Sequence, residues 1–154
     1  MNFLVNRRRI VRVVLGIEGV VLMALGAVGL VAAAIKGFAH ANVHVLAFHL
    51  NAVHSSLLLI TGLAALVVIA LDRYLAAFSL VQAIGYLLLF LFGSSYRSIE
   101  SGGEVTSLGL NTADHVLHAT LSILGLTLAL AVSNVLVSAD AIRTSRGAPP
   151  RNSR

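Results

Sequence analysis

Residues 48–71 read FHLNAVHSSLLLITGLAALVVIAL, from Phe48 to Leu71 without one formally charged side chain. A transmembrane helix needs about 20 consecutive, mostly apolar residues to cross the hydrocarbon core, and this stretch supplies them. Three others match it, at about Val11 to Ile35, Tyr74 to Tyr96 and Asn111 to Ser138. No proline interrupts any of the four. Each can therefore close its own backbone hydrogen bonds, as a medium without water demands. Tyr74 and Tyr96 frame the third span, roughly 33 Å apart at a rise of about 1.5 Å per residue, which suits amphipathic rings at the two faces of one bilayer.

Composition agrees. Of 154 residues, 58% are hydrophobic and 11% charged, and the mean hydropathy is +0.93. A soluble domain carries roughly a quarter charged residues. The deficit excludes a disordered chain, a coiled coil and an ordinary soluble enzyme, because too few polar residues remain to cover a globule. The absence of cysteine excludes disulfides, thiolate zinc sites, iron–sulfur clusters and a cysteine nucleophile. The expected fold is all-α: an integral membrane four-helix bundle.

Charge sets the expected direction. Arg7, Arg8, Arg9 and Arg12 precede the first span, Arg73 lies between the second and third, and Arg143, Arg146, Arg151 and Arg154 follow the fourth. That places nine of the 11 basic residues on one side and leaves Lys36 and Arg97 for the other. By the positive-inside rule both termini are cytoplasmic, in a multi-pass plasma-membrane protein. The net charge of +5 is thus a topology signal, reinforced by anionic lipid, and no nucleic-acid partner is expected. Three regions follow: a basic cytoplasmic N-terminus at 1–10, the membrane domain at 11–138, and a basic disordered tail at 139–154 containing Pro149 and Pro150. The apolar run before Ala32-Ala33-Ala34 exceeds the 7–15 residues of a signal-peptide core, so the first span reads as uncleaved. Between spans, Gly37 to Ala47 reads as a short interfacial helix, and Arg97 to Leu110, with Ser101, Gly102 and Gly103, as a mobile loop.

Two helix starts repeat. Asn51, His54, Ser55, Leu58 and Gly62 fall at the same offsets as Asn111, Asp114, His115, His118 and Ser122, and 111 minus 51 is 60. At about 100° per residue each set occupies one helix face. Two spans separate the starts, so the bundle reads as two helical hairpins in parallel tandem, although the first and third spans align poorly. These residues resemble the bacterial four-span membrane proteins grouped as domain of unknown function 4383. In that family the second span opens N-x-x-H-N-x-x-H-x-x-x-G and the last opens N-x-A-D-N-x-L-H. Asn51, His54 and Gly62 match the first motif, while Ser55 and Leu58 depart from it. Asn111, Ala113, Asp114, Leu117 and His118 match the second, with His115 in place of asparagine. The resemblance covers about Leu46 to Leu130. It implies the four-helix fold and no assigned activity.

Polar groups within membrane helices are costly and mark candidate sites. All six histidines, His40, His44, His49, His54, His115 and His118, fall on the outer half. On the structural reading, Asn51 and Asn111 cap their helices, Asp114 completes a capping box, and His54 meets His118 between the second and fourth spans. On the alternative reading, His54, His115 and His118 bind haem b or Zn/Cu, with Asp114 orienting one imidazole. The structural reading is preferred, with no metal and no cofactor. Glu18 is the carboxylate inside a span; it either reaches the interface or pairs with Arg12, or it serves a proton or cation relay. Gly16, Gly19, Gly26 and Gly29 form a packing face, for the third helix of the same bundle or for a neighbouring protein. The functional expectation is a non-enzymatic accessory or interaction subunit, alone or in a larger membrane complex or homo-oligomer. The alternatives are the haem or metal protein, and a small oligomeric transporter or channel.

Overall fold

The computed structural model describes residues 2–38, 43–99 and 111–133. Four helices carry the chain: α1 (Asn2–Lys36), α2 (Ala52–Ala70), α3 (Leu75–Ile99) and α4 (Thr112–Val132). All four are long and apolar enough to span a membrane. Their outward faces carry large apolar side chains even at mid-helix, with Val81 69% and Ile123 68% exposed. A water-soluble bundle would bury such residues; here they face lipid. The protein is a multi-pass membrane four-helix bundle.

Local chemistry fixes where the helices start and stop. The Asn51 side chain accepts the His54 backbone N–H at 2.9 Å, so α2 begins at Ala52 rather than at Phe48. A single 3₁₀ turn, Asp72–Tyr74, leads into α3, which makes the α2–α3 connection tight. Helix α4 ends at Val132, capped by Ser133; the end of the expected fourth span and the tail at 139–154 lie outside the described residues, as do Ser101, Gly102 and Gly103.

The segment before α2 is a β-hairpin, not an interfacial helix. Strand β1 (Val43–Val45) pairs antiparallel with β2 (Phe48–Leu50), in the register Val43–Leu50, His44–His49 and Val45–Phe48. Each strand sets one histidine between two apolar residues, Val43-His44-Val45 and Phe48-His49-Leu50, an alternation that suits a strand better than a helix. Leu46 at the turn has φ 56°, a left-handed conformation that costs a non-glycine residue roughly 1–2 kcal/mol.

Helix α1 packs closely on α2, and α3 on α4; α1 touches α4 and α2 touches α3 more loosely. The helices thus stand in a square, with α1 diagonal to α3 and α2 diagonal to α4. The glycine face of α1 meets α2, not the third helix. A Cβ at Gly19 would lie 3.0 Å from the Gly62 carbonyl oxygen, and one at Gly26 would lie 2.6 Å from both Leu59 N and Ser55 O. Gly16 faces Ile69, and Gly29 faces Ser55 and Leu50. The reason is the small-residue match: Gly62 on α2 faces Gly19, and two facing glycines let the backbones approach.

The tandem repeat extends through the whole bundle. Gly19 and Met23 pack against Gly62 and Ala65, and sixty residues later Ser79 and Ala83 pack against Ser122 and Gly125. The differences 79 − 19, 83 − 23, 122 − 62 and 125 − 65 are all 60. Burial follows the same register: Leu15, Gly19, Leu22 and Gly26 on α1 correspond to Leu75, Ser79, Gln82 and Tyr86 on α3. The first and third spans align poorly as sequence because a leucine answers a glutamine and a glycine answers a tyrosine.

Candidate functional site

The polar residues converge at the bundle axis, beginning at the hairpin end. Asn111 and Asp114 form a reciprocal capping box: Asn111 Oδ1 accepts the Asp114 N–H at 2.9 Å, and Asp114 Oδ2 accepts the Asn111 N–H at 2.7 Å. Both also hold the hairpin. Asn111 Nδ2 donates to the Ala47 carbonyl at 2.8 Å, and the His49 N–H donates to Asp114 Oδ2 at 3.3 Å. The first contact anchors the turn that carries the left-handed Leu46. Across the hairpin, the His44 and His49 rings meet edge to face at 3.9 Å. His40 lies outside the described residues.

One turn deeper, the diagonal between α2 and α4 closes. His54 and His118 are fully buried, and their Nε2 atoms stand 3.3 Å apart. An imidazole pair in this contact must hold complementary tautomers, one Nε2 donating and the other accepting. The Asp114 carboxylate and the His49 backbone face His54 from the hairpin side. His118 is flanked by His115 and by the Tyr86 ring, whose centroid lies 5.5 Å from its own. The His115 ring sits edge-on to Phe90 at 6.2 Å. Asn51, His54, Asn111, Asp114 and His118 are therefore brought together, and His115 borders them.

Further along the axis, the diagonal between α1 and α3 closes as well. Glu18 is buried, and its Oε1 accepts a hydrogen bond from Gln82 Nε2. Glu18 neither reaches the interface nor pairs with Arg12. Arg12 and Arg8 instead bind Asp72, at 3.0 Å and 2.7 Å. Tyr86, one helical turn from Gln82 on the same face of α3, is buried against the His118 ring. Gln82 and Tyr86 are the axis residues that the sequence reading did not single out; their signal is an i, i+4 pair of polar groups on one face of a mostly apolar span.

Among the described residues, the buried polar atoms along this axis without a hydrogen-bond partner include Glu18 Oε2, Gln82 Oε1, His118 Nδ1, Asp114 Oδ1, Ser55 Oγ and Ser79 Oγ. Such groups in a native interior are usually satisfied by ordered water. Between Glu18 and the Arg8–Arg12–Asp72 ion pairs lies an apolar layer of Val11, Leu15, Ala65, Leu75 and Leu128, drawn from all four helices.

The donor set fits a metal only in part. Two nitrogens 3.3 Å apart match the edge of a tetrahedral zinc shell, about 3.3–3.4 Å for Zn–N bonds of 2.0–2.1 Å. Among the described residues, however, no three His, Cys, Asp or Glu side chains converge as a closed metal centre would require. Bis-histidine haem ligation needs the two nitrogens on opposite faces of a porphyrin, whereas these two meet directly.

A family model described as Domain of unknown function (DUF4383) matches residues 12–131. No curated protein and no solved structure matches the chain.

Proposed function

The chain belongs to the DUF4383 family, and from that premise we propose that it is a non-enzymatic subunit that works through its membrane-embedded outer surface. The observation that carries this reading is the closed axis. Side chains meet across both diagonals, His54 with His118 at one level and Glu18 with Gln82 at another. Among the described residues, a single copy therefore holds no open passage for a solute at either level. The side chains that remain for recognition are the outward apolar ones, which suit lipid and the helices of another membrane protein. The reading needs no cofactor.

The orientation that best fits the charges puts both termini and the Asp72 turn in the cytoplasm and the hairpin outside, in the plasma membrane. Arg8, Arg12 and Arg73 all lie at the Asp72 end, in agreement with the positive-inside rule. Photo-crosslinking from the exposed positions Val20 and Ile123 in native membranes tests the subunit role. A discrete crosslinked partner, or a second copy of the chain, is expected. A monodisperse monomer in mild detergent, with no crosslinked partner from either face, would reject it.

A further inference from the structure

We infer that His44 and His49, on the unpacked face of the β-hairpin, form a two-imidazole site for a divalent copper or zinc ion that clips β1 to β2. The site is separate from the buried His54–His118 pair, and the inference does not depend on the subunit role. Its first support is the register. His44 stands directly opposite His49 in the antiparallel ladder, so both side chains leave the same face of the sheet. The His49 N–H points away from β1, to Asp114 Oδ2 at 3.3 Å. That marks a non-hydrogen-bonded pair, the class in which opposite side chains come closest. The rings touch, with centroids 3.9 Å apart and planes at 87°. Two imidazoles bound to one metal at about 2.0–2.1 Å place their ring centres roughly 4.5–5 Å apart. Side-chain rotations that spread the rings by about 1 Å therefore admit the ion, with the ladder unchanged.

The second support is the division of labour between the two faces of the hairpin. On the packed face, Val43 is buried beside Ala33, and Leu50 is buried with Leu22 and Leu58. That burial fixes the ladder without help from the histidines. On the other face His44 is exposed and His49 half-buried. Among the described residues each of these rings meets the other, and no hydrogen bond engages either ring. Their nitrogens are thus available to a ligand, and imidazole is a donor that suits both copper and zinc.

The third support is the rigidity of the mount. Asn111 Nδ2 holds the Ala47 carbonyl at the turn, and Asp114 Oδ2 holds the His49 N–H. Both residues belong to the capping box of α4, so an ion across the two strands also stiffens the start of that helix. Among the described residues no third His, Cys, Asp or Glu completes the set. Two protein ligands leave the remaining positions of the ion open, which makes it an exchangeable ligand of the hairpin rather than a closed structural centre.

The test is titration of the full-length protein in nanodiscs with Cu2+, read by electron paramagnetic resonance and by the echo modulation of imidazole nitrogens. Saturation at one equivalent per chain, with two imidazoles bound, is expected. His44→Gln and His49→Gln each remove one ligand and should weaken binding about tenfold or more, with helicity retained. His54→Gln, in the buried pair, should leave the affinity unchanged. A second measurement needs no variant. With free Cu2+ at about ten times its Kd, amide exchange in Val43–Leu50 through openings that release the ion should slow about tenfold, and a chelator should restore it. No saturation near one equivalent, a single bound imidazole, or undiminished affinity in either hairpin variant would overturn the site. So would loss of binding in a folded His54→Gln protein, or exchange in the unaltered protein that Cu2+ leaves unchanged.

Discussion

Replacing Gly26 by alanine forces α1 away from α2, and the structure gives the size of the step. A Cβ at Gly26 would stand 2.6 Å from Leu59 N, 2.6 Å from Ser55 O and 2.9 Å from Leu59 Cα. Ordinary contact begins at 3.4 Å, so the interface must open by at least 3.4 − 2.6 = 0.8 Å. All three neighbours are backbone atoms, which cannot rotate aside as a side chain would. Overpacking of this kind costs about 1–3 kcal/mol, and backbone opposition places it toward the upper end. Alanine recovers about 0.5–1 kcal/mol over glycine within a helix. The expected net loss is about 1–2 kcal/mol. Gly85 provides the control on α3, because its added Cβ meets nothing within 4 Å. Gly85→Ala should therefore keep the helical gain alone and stabilise by about 0.5–1 kcal/mol. Adding Gly62→Ala, whose Cβ would meet Gly19 O at 2.6 Å, should cost less than the sum of the singles, since one separation relieves both contacts. Reversible unfolding in mixed detergent micelles, followed by circular dichroism, measures the three single variants, the double variant and the unaltered protein. An unchanged or raised stability for Gly26→Ala would refute the close approach of the two helices.

Asn111→Ala removes an N-cap worth about 1 kcal/mol and also the donor to the Ala47 carbonyl. Amide hydrogen exchange should rise together in the first turn of α4 and in Val43–Leu50; unchanged protection of the hairpin would contradict its anchoring. Asp72→Asn breaks two ion pairs whose side chains are a third to a half exposed, so it should cost less than about 1 kcal/mol and lose most of that effect in high salt. A salt-independent loss of several kcal/mol in the same unfolding assay would show that Asp72 does something else. Leu58→His tests the repeat. The pair His54–His118 maps through the 60-residue shift onto Asp114 and Leu58, and Asp114 Oδ1 is buried without a partner. A double-mutant cycle with Asp114→Ala should give a coupling of about 1–3 kcal/mol, and a coupling of zero would sink the mapping.

Much of this architecture was legible from residue pattern because each signal was local. Span length and the absence of proline are properties of one segment. So are the capping asparagines and the arc occupied by His54, Ser55 and Leu58, which are buried as their spacing required. What could not be read was pairwise geometry. The glycine face of α1 announced close packing but not which helix would approach. Glu18 was weighed against its sequence neighbour Arg12, yet its partner is Gln82, 64 residues away on the diagonal helix. The hairpin escaped for another reason: Val43–Leu50 is short and apolar, and an apolar run of that length does not distinguish strand from helix without close attention to its alternation.

The repeat and the polar axis explain each other. Under the 60-residue shift Glu18 corresponds to Phe78, Gln82 to Leu22, Tyr86 to Gly26 and His118 to Leu58. At each of these levels one half of the bundle supplies the polar group and the other supplies an apolar residue. A strictly symmetric bundle would carry every such group twice and double the cost of burying them in a medium that cannot hydrate them. It would also oppose two bulky tyrosines where Gly26 now lets α1 reach the α2 backbone. The packing of the two hairpins therefore keeps the shared register, while the axis departs from it at the positions that hold the buried polar groups. Where the halves agree, the residues build the bundle; where they differ, they build the site.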